Sequence, residues 1–332
     1  MSSQKSLYQC ILDGMENGAL REGFSLPEPE DGRQIRYADG AMDGIALYHM
    51  PRAQMDEAGM DLMSRAVRSA AAGNHEEADL DFARLGKTMR AVSVIDQLQS
   101  YIMENADQLP AEEVFQSALY LMVNSTDRES VKFGLSMMEL FGEPEEEVRQ
   151  IIRTLGLSDE FTIFSVWNML KWDNGNQEIF NLIRKVRGWG RIHALQRLKP
   201  ETPEISEWIL LNGIDNDVMA AYSALPAWTK ADVYRRLRKP MSQEEFEAIG
   251  RILDALLDEG PVAGISRVLH VSEDIMRYLS LADEFDLGIE EYETIRALQR
   301  WAESEEVSQP EIAGRCAEIL ASDKCRRVAE DV

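Results

Sequence analysis

The sequence is short of the residues that most often announce chemistry. Its 332 residues include three cysteines and four histidines. Cys10, Cys316 and Cys325 stand far apart in no Cys-x-x-Cys spacing, so free thiols in a reducing compartment are expected. His49, His75, His193 and His270 form no His-Glu-x-x-His pair, which weighs against a histidine-rich metal centre. The chain has no Gly-x-Ser-x-Gly, no Walker loop and no Cys/His nucleophile pairing. No segment approaches the roughly 20 apolar residues that span a bilayer, and Met1 to Cys10 lack a signal-peptide core. A cytoplasmic location is therefore expected. Basic residues are scarce as well: 35 Lys and Arg against 59 Asp and Glu give a formal charge of −24. Such a surface repels DNA, RNA and anionic lipid, which weighs against a general nucleic-acid binder and against membrane association.

What is present is helical periodicity. Leu7, Ile11, Leu12 and Met15 predict a short helix within 6–18. Pro27, Pro29 and four Asp-Gly dipeptides punctuate the first 44 residues. The alternation in Gln34 to Tyr37 and Ile45 to Tyr48 predicts a small β-hairpin closed by Ala38 to Asp43. From Met55 the spacing turns helical and predicts long helices over 55–72 and 75–107, up to Pro110. The expected organisation is an N-terminal helix and hairpin cap over 1–54, long helices over 55–110, and repeats over 111–325.

The repeats show as two interleaved series. Val114, Val148, Ile179 and Ile205 are spaced by 34, 31 and 26 residues, and Val131, Ile163, Ile192 and Val218 by 32, 29 and 26. Series that shorten together indicate a helix-pair period near 30, in which no pair buries its apolar face alone and neighbours must stack. Thr202-Pro203-Glu204 and Ser242-Gln243-Glu244-Glu245 read as helix starts, and Gly142, Gly213 and Gly260 as stops. Less regular helices continue over 243–258, 272–284, 288–303 and 309–322.

A pair of about 30 residues, whose second helix carries a small residue amid bulky ones (Gly134, Ser165, Ala194, Ala221), resembles the HEAT-like repeat class. The resemblance implies an all-α, right-handed α-solenoid with second helices lining a concave groove. Gly188-Trp189-Gly190-Arg191-Ile192-His193-Ala194 together with Ala41-Met42-Asp43-Gly44-Ile45 also resembles a set of bacterial proteins, some named limonene hydroxylase. Haem or flavin hydroxylation needs a thiolate-bearing Gly-rich loop or a Gly-x-Gly-x-x-Gly turn. The chain has neither, and no cofactor is expected.

Five of the six tryptophans fall between Phe161 and Trp228, where the 184–199 segment holds six cations and no carboxylate. On a helix Trp189, His193 and Arg197 share a face. With Arg187, Arg191, Trp167, Trp228 and Arg235 they are the candidate residues for holding a protein or peptide partner with an acidic patch. Packing of Trp189 between repeats, with solvated charges, is the competing explanation. A second cationic group, Lys230, Arg235, Arg236, Arg238 and Lys239, faces one acid, Asp232, and either binds an acidic partner or pairs within the chain. His75-Glu76-Glu77 with Asp79 and Asp81 reads as a solvated helix turn, since consecutive helical residues diverge; no metal is expected. Asp39 and Asp43 read as turn formers or as paired carboxylates. The expected function is a non-catalytic scaffold or adaptor; the alternative is a HEAT-like enzyme or binder acting on nucleic acid or a phosphorylated ligand.

Overall fold

The computed structural model describes residues 5–28, 37–51, 53–260 and 262–330. Among them are 19 α-helices and a single two-stranded antiparallel sheet, which makes the fold all-α. No helix among the described residues is long and apolar enough to cross a membrane. The chain forms two compact units that divide between Leu198 and Lys199.

In the first unit, Ser6 caps α1 (Leu7–Gly14) by accepting the Gln9 N–H at 3.2 Å. Next come β1 (Met15–Glu16) and β2 (Ala19–Leu20), joined by the two-residue turn Asn17-Gly18 with Met15 opposite Leu20. α2 (Ala41–His49), α3 (Glu57–Ala71), α4 (His75–Gly86) and α5 (Ala91–Glu104) follow. Then come α6 (Ala111–Asn124), α7 (Arg128–Met138), α8 (Glu146–Gly156), α9 (Thr162–Met169), α10 (Gly175–Ile183) and α11 (Trp189–Arg197). α3 packs on α4, α6 on α7, α8 on α9 and α10 on α11. Second members touch in the order α4, α7, α9, α11, and first members in the order α3, α6, α8. α1 lies against α6 and α8, α5 against α7, and α2 against α5 and α11. The row of second helices is therefore overlaid by α5 and α2. α7 sits at the centre of this unit: Ser130 through Met138 are all buried.

Three expectations need correction. Ile45 to Tyr48 is not a strand but the second half of α2. Its predicted partner run lies mostly outside the described residues, and the observed hairpin is at 15–20, where the first helix stops four residues short. The predicted 75–107 helix is broken at 87–90. The cause is Glu129, whose side chain packs against Gly86 at the end of α4 and whose carboxylate accepts the Ala91 N–H at 2.8 Å, opening α5.

The second unit contains α12 (Pro203–Asn212), α13 (Ala221–Lys230), α14 (Val233–Arg236), α15 (Gln243–Leu257), α16 (Val271–Leu281), α17 (Ile289–Glu303), α18 (Pro310–Leu320) and α19 (Asp323–Glu330). Thr202 caps α12 ahead of Pro203, and Ser242 with Glu245 forms the capping box of α15. α15 is central, against α12, α13 and α17, while Phe246 stacks on Tyr278 and on Phe285. Of the eight positions used to read the repeat, Val218 is the one outside a helix, in the loop before α13.

Candidate functional site: a covered charge cluster and an open cationic cavity

α7 places Arg128, Glu129 and Lys132 within one turn, beside Glu160 from the loop before α9. The Lys132 ammonium is wholly buried and meets Asp43 at 2.7 Å, Glu129 at 3.0 Å and Glu160 at 2.6 Å. Arg90, at the start of α5, bridges Asp43 and Glu129 at 3.3 and 3.2 Å. Arg128 bridges Asp39 at 2.7 Å and Glu160 at 3.3 Å. Three cations thus face four carboxylates. Burial opposes the Lys132 charge, but the three carboxylates outweigh it and hold the amine protonated, its pKa raised. Burial also disfavours the Glu160 carboxylate, yet Lys132 and Arg128 overcome it and pull its pKa down. At Asp43 burial wins and the pKa rises. A buried lysine in this setting is satisfied rather than poised to react.

α11 borders the cluster. Asp159 accepts the N–H groups of Gly188 and Gly190, each at 3.1 Å, which fixes the start of the helix. Trp189 and His193 share a face, as their spacing requires, and α2 covers it. Gly44 permits this approach, because a Cβ there would collide with the indole ring. The Tyr48 ring stacks with Trp189 at 6.2 Å, and its hydroxyl shares a hydrogen bond with His193 Nδ1 at 3.1 Å. Burial, followed by the nearby Arg197 and Lys132 charges, lowers the His193 pKa to about 3, so the ring is neutral. Its Nε2 has no hydrogen-bond partner among the described residues. The segments Ala41–Ile45 and Gly188–Ala194, which carry the bacterial resemblance, therefore lie against each other.

The other predicted residues are dispersed. Arg187 is exposed, and Arg191 and Arg197 are half-buried. Trp167 is half-buried and edge-on to Phe164 at 5.2 Å. Trp228 is buried in α13, and Arg235 is exposed beside Asp232 at 3.4 Å; both belong to the second unit. Asp39 does lie in a turn, the one that leads into α2, while Asp43 lies within α2, and both are arms of the cluster. Asp81 is taken up by Arg65 and Arg84 at 2.6 and 2.8 Å, and His75 bonds Ser117 at 2.6 Å. Among the described residues no three or more His, Cys, Asp or Glu side chains are arranged so that they could hold a metal ion. Sequence reading missed Lys132, Glu129, Glu160 and Asp159, although one charge inside the apolar run Val131-Lys132-Phe133-Gly134-Leu135 is a signal that Lys132 is buried.

Cations also line open space. In the first unit a cavity of about 640 Å³ is bordered by Gln150 and Arg153 of α8, Glu178 and Asn181 of α10, and Arg184 and Lys185 just beyond it. Arg153 is held by Glu178 at 2.9 Å and by Glu146 at 2.5 Å. Arg184 lies over the Phe180 ring at 4.5 Å and bonds Asn181. Among the described residues neither Arg184 nor Lys185 has a carboxylate in ion-pairing distance. In the second unit a cavity of about 310 Å³ gathers Ser206, Arg235, Arg236 and Lys239 with Asp232 and Glu245.

Comparison with known proteins finds no family model, no curated protein and no solved structure that matches the chain.

Proposed function

We propose that the chain is a cytoplasmic, non-catalytic scaffold or adaptor, a right-handed α-solenoid of HEAT-like helix pairs that holds an acidic segment of a protein partner in the cationic cavity of its first unit. The stacking of second helices in the order α4, α7, α9, α11 supports the repeat reading. The lining of the cavity carries the functional one. Three cations meet one carboxylate there, on a chain whose overall charge is −24. An acidic segment is repelled by most of such a surface and attracted to this patch, which favours one docking position. The buried cluster supports a non-catalytic reading, since its charges are engaged with one another.

Fluorescence anisotropy with a labelled Asp/Glu-rich peptide tests this. Saturable binding is expected, weakening at least about tenfold between roughly 0.05 and 0.3 M salt and lost in Arg184→Glu/Lys185→Glu. Equal binding of a neutral peptide, or no binding at low salt, overturns the proposal.

The smaller cavity favours a second ligand class, a phosphate-bearing molecule. There the Ser206 hydroxyl accepts from Arg236 at 3.1 Å beside Arg235 and Lys239. Titration with phosphoserine and serine separates the cases: binding of phosphoserine alone supports it, and binding of neither excludes it.

A further inference from the structure

α2 differs from its neighbours in what holds it. Of its nine residues only Ala41, Asp43 and Gly44 are buried, whereas nine of the eleven in α7 are. Leu47 is 36% exposed, and Met50 beyond the helix 60%. A nine-residue helix with so little apolar anchorage does not persist by its own propensity. Beside the stack of Tyr48 on Trp189, it is held by polar attachments. They are Asp39 on Arg128, the Gly40 N–H on Glu160 at 2.8 Å, Asp43 on Lys132 and Arg90, and the Tyr48 hydroxyl on His193. Gly40 has a left-handed φ of 76°, and a Cβ there would meet the Asp159 carbonyl. The chain thus bends sharply into a helix presenting two carboxylates four residues apart, then glycine, then tyrosine four residues on.

We propose that residues 39–48 are an intrasteric strap: the chain's own acidic helix fills a docking surface formed by Arg90, Arg128, Lys132, Trp189 and His193, and an acidic helix of a protein partner displaces it. The strap reports what the surface accepts, namely Asp or Glu at the first and fifth positions, a small residue at the sixth that clears the Trp189 ring, and a hydroxyl-bearing aromatic at the tenth. Displacement exchanges one set of ion pairs for another and leaves the apolar contacts of α7, α9 and α11 in place. This surface is separate from the cationic cavity, and the proposal holds or fails without it.

The test uses the full chain and a fluorescent synthetic peptide of residues 37–51 as the probe. In Gly44→Leu the new side chain collides with Trp189 and frees the surface, so the probe binds at least about tenfold more tightly than to the wild type, and a probe carrying Asp39→Lys and Asp43→Lys does not bind. Hydrogen exchange in the wild type, which needs no folded variant, gives the second readout. Amides of 41–49 exchange at least about tenfold faster than those of α7 and α11, and raising salt from about 0.05 to 0.5 M widens the gap. Equal exchange of the three helices at both salt concentrations overturns the proposal. So does a Gly44→Leu chain that binds the probe no better than wild type, or one in which α7 and α11 lose protection along with α2.

Discussion

Lys132 and Lys185 belong to the same unit and carry the same charge, but they stand in opposite circumstances. Lys132 is wholly buried and enclosed by Asp43, Glu129 and Glu160, two of them brought from α2 and from the loop before α9. Lys185 is exposed at the rim of a cavity with Arg184, with no carboxylate in reach among the described residues. Cations that the chain closes with its own acids are neutralised within the chain. Arg184 and Lys185, on the wall of open space, are the cations that the proposed acidic segment would meet. Composition counts both kinds alike, and only the placement of carboxylates distinguishes them.

The comparison breaks most visibly if Lys132 is removed. Lys132→Met leaves four carboxylates, Asp43 and Glu160 buried among them, facing two arginines, and a loss of about 3–5 kcal/mol is expected, read as the protection of α7 amides in urea. Lys185→Ala should stay within about 0.5 kcal/mol in the same assay.

Acid attacks the covered side next. The unfolded imidazole takes its proton near pH 6.5 and buried His193 only near 3. Between those values the unfolded chain binds the extra proton, so stability is fully present above pH 6.5 and falls as the pH drops, by up to about 4 kcal/mol. His193→Gln should flatten that limb in urea titrations at pH 7, 5 and 4. Asp43 acts in the opposite sense, since its raised pKa lets the folded chain hold a proton more readily than the unfolded chain. Asp43→Asn should therefore steepen the fall.

A finer change is Tyr48→Phe. It removes the partner of His193 Nδ1 and keeps the ring over Trp189. A cost of about 1 kcal/mol is expected by thermal unfolding. In the open cavity, Arg184→Ala should cost less than that in stability while weakening acidic-peptide binding by about tenfold. Effects of similar size on stability at both sites would erase the distinction.

Much of the fold was legible because helix pairing is local. Seven of the eight valine and isoleucine positions used to read the repeat lie on alternating first and second helices. The eighth, Val218, fell where the period shortened to 26 residues and a loop intervened. α2 was read as strand because four residues of alternation are too few to separate the two periods, and the contacts that settle it come from residues up to 145 positions away. The real hairpin carried the Asn-Gly turn signal, but strands of two residues have no periodicity. At the site, the shared face of Trp189 and His193 followed from spacing alone. What covers that face did not, because ion pairs between Asp43, Lys132 and Glu160 leave no pattern in one sequence. Lys132 left the faintest trace, a lone charge in the otherwise uncharged run Val131 to Leu135.

Competitive lysine acylation of the native full chain, resolved residue by residue in a mass spectrometer, compares the two sides in one sample. Lys185 should acylate as fast as an exposed lysine, while Lys132 reacts at least about a hundredfold more slowly until the protein is unfolded. Comparable labelling of Lys132 and Lys185 in the folded protein would contradict the division between closed and open charge on which this account is built.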